Sequence, residues 1–416
     1  MTASINHKRF LDWMNQQGEI GATPEGGLNR PTLSDADLAA REWFAAQAQS
    51  VGLTVSMDGA GNQRAVLPSA AAQAKTLLIG SHLDSVPNGG RFDGALGVVV
   101  GLEVAAAIKD AGITLPFHLE VVNFTDEEGT LRGLLGSAAM TGRLSAADLA
   151  TVRGGEDTLR AGLARLGLNP TTLLSAGRDF SQVLGYLEVH IEQGTRLEQA
   201  GLSIGVVTSI VGVRSYWLTF GGVAAHAGTK PMAERRDALW GATYFVQQAR
   251  QLVMNQFTPG VVNFGNLLVE PTGAFNIVPA RVRLALEFRH GDPYQLEQMQ
   301  NALFSLLRHC ASEFVLDVSY EAAGLVPPAL MNEDMVQVIE QAAARAGLSH
   351  VRLMSFAGHD AQSMADRTPS VMFFVPSVGG VSHNPAEYTA PQDCLNAARV
   401  MLNAVLVLAE RHAGTG

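Results

Sequence analysis

Residues 76–94 read Thr76-Leu-Leu-Ile-Gly-Ser-His82-Leu-Asp84-Ser-Val-Pro-Asn-Gly-Gly-Arg-Phe-Asp93-Gly94. The apolar opening, Thr76 to Gly80, has the length of a buried strand. His82 and Asp84 stand two apart just after it, so in extended backbone they point to the same side. Asp93 follows in a glycine-rich loop, where glycine reaches backbone conformations closed to other residues. Three further apolar runs end the same way. Leu119 to Phe124 precedes Glu127-Glu128, Tyr186 to Val189 precedes His190-Ile-Glu192-Gln193, and Val371 to Val375 is trailed by His383-Asn384. An open α/β sheet binds ligands outside the carboxyl ends of its strands, so these clusters are expected to converge on one site. A single His/Asp pair would be read as a satisfied core histidine, but five clusters at the ends of successive elements point to metal. Imidazole and carboxylate without thiolate suit divalent zinc first, then manganese, cobalt or nickel. Two adjacent glutamates are costly if buried unpaired. One can serve a metal and the other can act as general base. The expectation is a binuclear metallohydrolase.

Working outward, strand-like and helix-like segments alternate through the first half. A helix is expected from Ser34 to Val51, with Ser34 as its cap and Asp37 acting as in a capping box. Another is expected over Ala95 to Asp110, and residues 154–178 read as a surface excursion. This alternation predicts an α/β fold with a doubly wound, mostly parallel sheet. From Ser209 the order becomes strand (209–223), helix (233–257), two strands (261–270 and 281–290), helix (293–314) and strand (315–322). That is the split βαβ pattern of a ferredoxin-like domain. Residues 1–208 and 323–416 are therefore expected to form one discontinuous catalytic domain, with 209–322 an inserted one.

The chain has 416 residues and a net charge of −10, with 47% hydrophobic and 16% charged residues. This is ordinary globular composition of two-domain size. The acidic balance argues against a nucleic-acid partner. No apolar run reaches the roughly 20 residues of a membrane span, and residues 1–20 carry no signal-peptide pattern. Cys310 and Cys394 lie in helix-like stretches without metal or redox spacing, so both are expected as buried thiols in a cytoplasmic enzyme.

The segments SHLDSVPNGGRFDGALG (81–97), FTDEEGTLRGLLGS (124–137), LEVHIEQG (187–194), AAHAGTKPMAERRDAL (224–239), FAGHDAQ (356–362) and VGGVSHNPAEYT (378–389) resemble the M20-type amidohydrolases. More narrowly they resemble the hydantoinase/carbamoylase branch, which includes N-carbamoyl-L-amino-acid hydrolases, allantoate amidohydrolases and β-ureidopropionase-like enzymes. The likeness spans residues 7 to 412. Its most specific element is HIEQG, since peptidase and deacylase branches usually place a carboxylate where His190 stands. The resemblance implies His82 and His190 on one ion, Glu128 and His383 on the other, and Asp93 bridging the two. It implies Glu127 as the base and Asp84 as support for His82. It also implies that His226 reaches the active site of a partner chain in a homodimer formed through the inserted domain, which would double as a lid. On strand periodicity alone Arg289 would be a solvated residue opposite the inward Val282, Leu284, Leu286 and Phe288. The resemblance makes it, with Asn276 and Arg214, a clamp on the carboxylate of a small anionic ureido substrate. Gln193 is implied as a contact to the ureido amide, with Gly358 and His359 lining the pocket. Two departures stand out. Many members have an Arg-Phe pair after the glycine that follows the glutamates, where this chain has Gly129-Thr130-Leu131-Arg132-Gly133. Ser215 also stands where allantoate-type members often carry a second arginine. The expected reaction is hydrolysis of N-carbamoyl-L-amino acids. Allantoate hydrolysis, an aminoacylase or dipeptidase activity, and a non-catalytic dimeric binding protein are the alternatives.

Overall fold

In a computed structural model, described for residues 2–413 apart from 72, 273 and 274, the Thr76–His82 strand is buried at every residue. It lies mid-sheet, in the order Thr54–Met57, Gln63–Leu67, His118–Phe124, Thr76–His82, Val183–Ile191, Ser370–Val375, Ile204–Ile210. The four central strands pair in parallel. Gln63–Leu67 and Ile204–Ile210 flank them antiparallel. The doubly wound parallel character is thus confined to the centre. Parallel strands are covered on both faces, which explains why these runs are uniformly apolar rather than alternating. Helix Ala95–Asp110 is buried continuously from Ala95 to Ile108, as an element packed inside the protein must be.

Helix Asp35–Ser50 is capped by Ser34, whose side chain accepts from Asp37 N. The carboxylate of Asp37 turns instead to Leu33 N and Arg41 Nε, both at 2.8 Å. The stretch expected as a surface excursion carries helices Gly155–Ala164 and Pro170–Leu174. Their Leu159, Leu163 and Leu173 join Leu33, Leu131 and Leu135 in a satellite core.

The chain divides into two compact units. The larger comprises Met1–Thr208, Met331–Leu353 and Gly358–Gly416, and the smaller Ser209–Leu330 with Met354–Ala357. In the smaller unit four antiparallel strands lie in the order Asp317–Val326, Gly212–Gly221, Arg281–His290, Val261–Glu270. Helices Ala238–Gln256 and Pro293–Glu313 complete the split βαβ arrangement. Val282, Leu284, Leu286 and Phe288 are all buried, facing a core shared with both helices. The unit extends past residue 322 because its last strand stays paired with Gly212–Gly221 beyond a bulge at Ala322/Gly324. Cys310 and Cys394 are both buried and free. Among the described residues no helix is long and apolar enough to cross a membrane.

Candidate metal centre

Every expected metal ligand belongs to the larger unit. His82 closes the Thr76–His82 strand and His190 lies next to last in Val183–Ile191. Both are 1% exposed. The Nδ1 of His82 lies 3.0 Å from Asp84 O, and that of His190 lies 2.9 Å from Ile191 O. An Nδ1–H given to a carbonyl leaves Nε2 as the lone-pair atom that a metal takes. Both Nε2 atoms face Oδ1 of Asp93, at 3.6 Å for His82 and 3.0 Å for His190. The other oxygen, Oδ2, lies 3.6 Å from Nε2 of His383, which is 3.3 Å from Oε2 of Glu128. Two groups result, His82–Asp93–His190 and Asp93–Glu128–His383, each with ligand atoms within 4.8 Å of one another. Asp93 is common to both, one oxygen toward each.

The loop carrying Asp93 is fixed by the backbone as much as by its side chain. Gly94 has φ +63°, and a Cβ there would meet the His82 ring at 2.3 Å. Glu387 accepts from Phe92 N and Asp93 N, both at 3.0 Å. The Ser382 hydroxyl lies 2.9 Å from Asp93 Oδ2 and 3.0 Å from Glu387 Oε2. Arg30 is 1% exposed and donates from Nε to Leu83 O at 2.5 Å, holding the segment between His82 and Asp84. Sequence reasoning missed Glu387, Ser382 and Arg30. Glu387 and Ser382 lie inside the quoted VGGVSHNPAEYT segment, whereas Arg30 sits in a loop with no local signal.

Asp84 departs from its expected place. Its carboxylate stands 3.7 Å from His82 Nδ1, too far for a hydrogen bond; the main-chain carbonyl supports the ring instead. The carboxylate accepts from Glu127 N at 3.3 Å and Glu128 N at 3.2 Å. Asp84 therefore shapes the turn that presents the two glutamates.

The electrostatics call for positive charge. Burial raises the Glu127 carboxyl well above its ordinary range, and the adjacent Glu128 raises it further. Burial and then Asp93 raise Glu128 likewise. For Asp93 burial acts upward, but the imidazoles of His190, His82 and His383 pull it well below the usual range. Burial lowers His82 to about 4. Burial also works against a charged His190, but the charge of Asp93 outweighs it and raises that ring to about 9. A cation bound at Nε2 would replace the proton that Asp93 favours there. Nε2 of His82 is buried with no hydrogen-bond partner, as a ligand atom awaiting a metal would be. The donor set thus fits divalent metal. Glu127, whose Oε2 lies 3.5 Å from His82 Nε2, belongs to neither ligand group.

Gln193 has φ +55° and donates from Nε2 to Asp93 Oδ2 at 2.7 Å, while its Oε1 is buried without a partner. The His359 ring packs 4.5 Å from that of His190, and a Cβ on the neighbouring Gly358 would meet Gln362 Oε1 at 3.4 Å. The smaller unit carries the remaining expected residues. His226 and Asn276 are exposed on adjacent segments, with Ala227 N donating to Asn276 O at 2.9 Å. Arg289 gives Nε and Nη2 to Glu287 Oε1 at 2.9 and 2.7 Å, and Nη1 to Phe356 O at 2.9 Å. Arg214 does not join it. Arg214 pairs with Phe288 across the sheet, so it shares the helix-covered face, while Arg289 projects from the opposite one. The clamp of Arg289 with Arg214 is therefore corrected: Arg214 binds Gln300 Oε1 at 2.5 Å on the far face.

The chain is also similar to known proteins over nearly its whole length. Residues 78–407 match the family described as Peptidase family M20/M25/M40. An N-carbamoyl-L-amino acid amidohydrolase of Geobacillus stearothermophilus is 36% identical over 408 residues, 98% of this chain and 99% of that protein. An allantoate amidohydrolase of Bacillus subtilis is 31% identical over 411 residues, 96% of each. A hydantoinase/carbamoylase family amidase from Burkholderia multivorans superposes with a TM-score of 0.89 at 35% identity, covering 98% of both chains. With its two-group ligand cluster and these relatives, the chain belongs to peptidase family M20/M25/M40, within the hydantoinase/carbamoylase branch.

Proposed function

We propose that the protein is a metal-dependent amidohydrolase that cleaves the ureido C–N bond of N-carbamoyl-L-amino acids or β-ureido acids. The observation that carries this reading is a carboxylate, Glu127, held beside the two ligand groups but in neither. The relatives' names select the substrate class. Two divalent cations per chain are assigned, one to His82, Asp93 and His190, the other to Asp93, Glu128 and His383, with zinc preferred on ligand chemistry. When bound, such ions polarise a carbonyl and acidify water. Glu127 takes the proton from the attacking water as its oxygen bonds to the ureido carbon. It returns that proton to the leaving nitrogen as the C–N bond breaks. The carbamic product then decomposes, so amino acid, ammonia and carbon dioxide are released whichever C–N bond breaks first. Gln193, tied to Asp93 through Nε2, keeps Oε1 to accept from the ureido amide.

Arg289 and Asn276 are proposed to hold the substrate carboxylate, and His226 to stabilise the developing oxyanion in the active site of a partner chain. A homodimer through the smaller unit is supported by its edge strand Val261–Glu270, which exposes Val261, Leu267 and Leu268. The test measures both free amino acid and ammonia released by metal-reconstituted protein from a panel of N-carbamoyl amino acids, allantoate, and acyl- and peptidyl-amino acids, since the last two yield no ammonia. Turnover confined to the acyl or peptidyl compounds would overturn the proposal. Allantoate is the second reading, favoured by the Bacillus subtilis relative, and the same panel separates it.

A further inference from the structure

Arg214 has no part in that mechanism, and its surroundings differ from those of Arg289. Its Nη1 donates to Gln300 Oε1, which also accepts from the Tyr216 hydroxyl at 2.6 Å. Among the described residues no carboxylate pairs with it, whereas Arg289 has Glu287 at 2.7 Å. Guanidinium carries five donors in a fixed fork, so one amide oxygen leaves most of its capacity unused. The residue lines a cavity of about 560 Å³ together with Tyr216, Leu296, Glu297, Gln300 and Leu325. Leu296, Glu297 and Gln300 lie three and four positions apart on helix Pro293–Glu313 and so share one side of it. Glu297 is exposed.

The cavity thus offers a cation without an anionic partner, an acid and an apolar wall. A simple carboxylate would suit Arg214 but meet the charge of Glu297. A simple amine would have the opposite difficulty. A molecule carrying both charges on one carbon, next to an apolar group, satisfies all three surfaces. We propose that this cavity binds a free α-amino acid, with its carboxylate on Arg214, its ammonium toward Glu297 and its side chain against Leu296 and Leu325. Binding at this cavity requires no step of the proposed reaction, and a protein that released no ammonia could still bind the amino acid there.

The test is titration calorimetry of the full-length, metal-loaded protein with L-leucine, isovalerate and isoamylamine. L-leucine is expected to bind saturably, each half-molecule at least ten-fold more weakly. Arg214→Gln and Glu297→Gln should each weaken L-leucine at least ten-fold, while Arg289→Gln should leave it intact. Because Glu297 is exposed, its substitution decides the matter should Arg214→Gln fail to fold. No saturable heat, binding lost in Arg289→Gln but kept in Arg214→Gln, or a half-molecule that binds as tightly as L-leucine would each overturn the proposal.

Discussion

In the larger unit the candidate ligands are walled in apart from the half-exposed His383, while in the smaller unit the candidate substrate contacts stand at or near the surface. His82, Asp93 and His190 are buried, and main-chain groups fix them: Asp84 O, Ile191 O, and the Phe92 and Asp93 amides tied to Glu387. His226 and Asn276 are exposed, and Arg289 is a third exposed and engaged by Glu287. Groups that must meet a reacting atom tolerate little displacement, and burial supplies that rigidity. Groups that recognise one end of a substrate can reorient, and an arginine that leaves Glu287 for a substrate carboxylate exchanges one charged partner for another. Rate should therefore depend on the larger unit together with His226, and affinity for the substrate carboxylate on Arg289 and Asn276.

The strongest challenge to this contrast is Glu127→Gln, expected to lower ammonia release by about 10²–10⁴-fold while elemental analysis finds the metal content unchanged. Retained turnover would place the base elsewhere. Next is Asp84→Asn, which swaps one acceptor of the glutamate turn for a donor. Metal affinity should fall about 10–100-fold, measured by competition with a chromophoric chelator; unaltered affinity would mean the turn holds its shape unaided. Arg289→Lys keeps the charge but loses the fork, so KM should rise by about ten-fold with kcat nearly constant. A parallel fall in kcat would erase the division between the units. The smallest effect concerns protein stripped of metal. The folded-state pKa values of Glu127 and Glu128 are raised by burial and by their like-charged neighbours, so the stability tied to their protonation is present at low pH and is lost as pH rises above the ordinary glutamate range. The melting temperature of chelated protein should therefore fall with rising pH more steeply than that of metal-loaded protein; equal slopes would show that the acids do not need cations.

The convergence of these side chains was legible because each terminates or trails an apolar run, and strand ends in a parallel sheet converge. His383 and Glu128 follow this rule although 255 positions separate them in the sequence. What failed was parity. Arg214 precedes Tyr216, Leu218 and Phe220 at spacings of two, and all three are buried on the helix side. That alternation puts Arg214 on the core face, whereas the family likeness pairs it with Arg289. Asp84 differs for another reason: two residues apart predicts a shared side but not which acceptor is nearer, and the main-chain carbonyl at 3.0 Å is nearer to the ring than the carboxylate at 3.7 Å. The role of Glu387 at the Asp93 loop had no local signal, since the Asp93 and Phe92 amides it holds lie 294 and 295 positions away.

The same alternation identifies where recognition could be re-engineered. Position 215 pairs with Glu287 across the sheet, and the Ser215 hydroxyl lies 3.3 Å from Glu287 Oε2. A longer basic side chain installed at 215 would compete for that acid and release the fork of Arg289 for a doubly charged guest. One codon beside Arg214, rather than Arg214 itself, is the place where a designer seeking a different acid selectivity should begin.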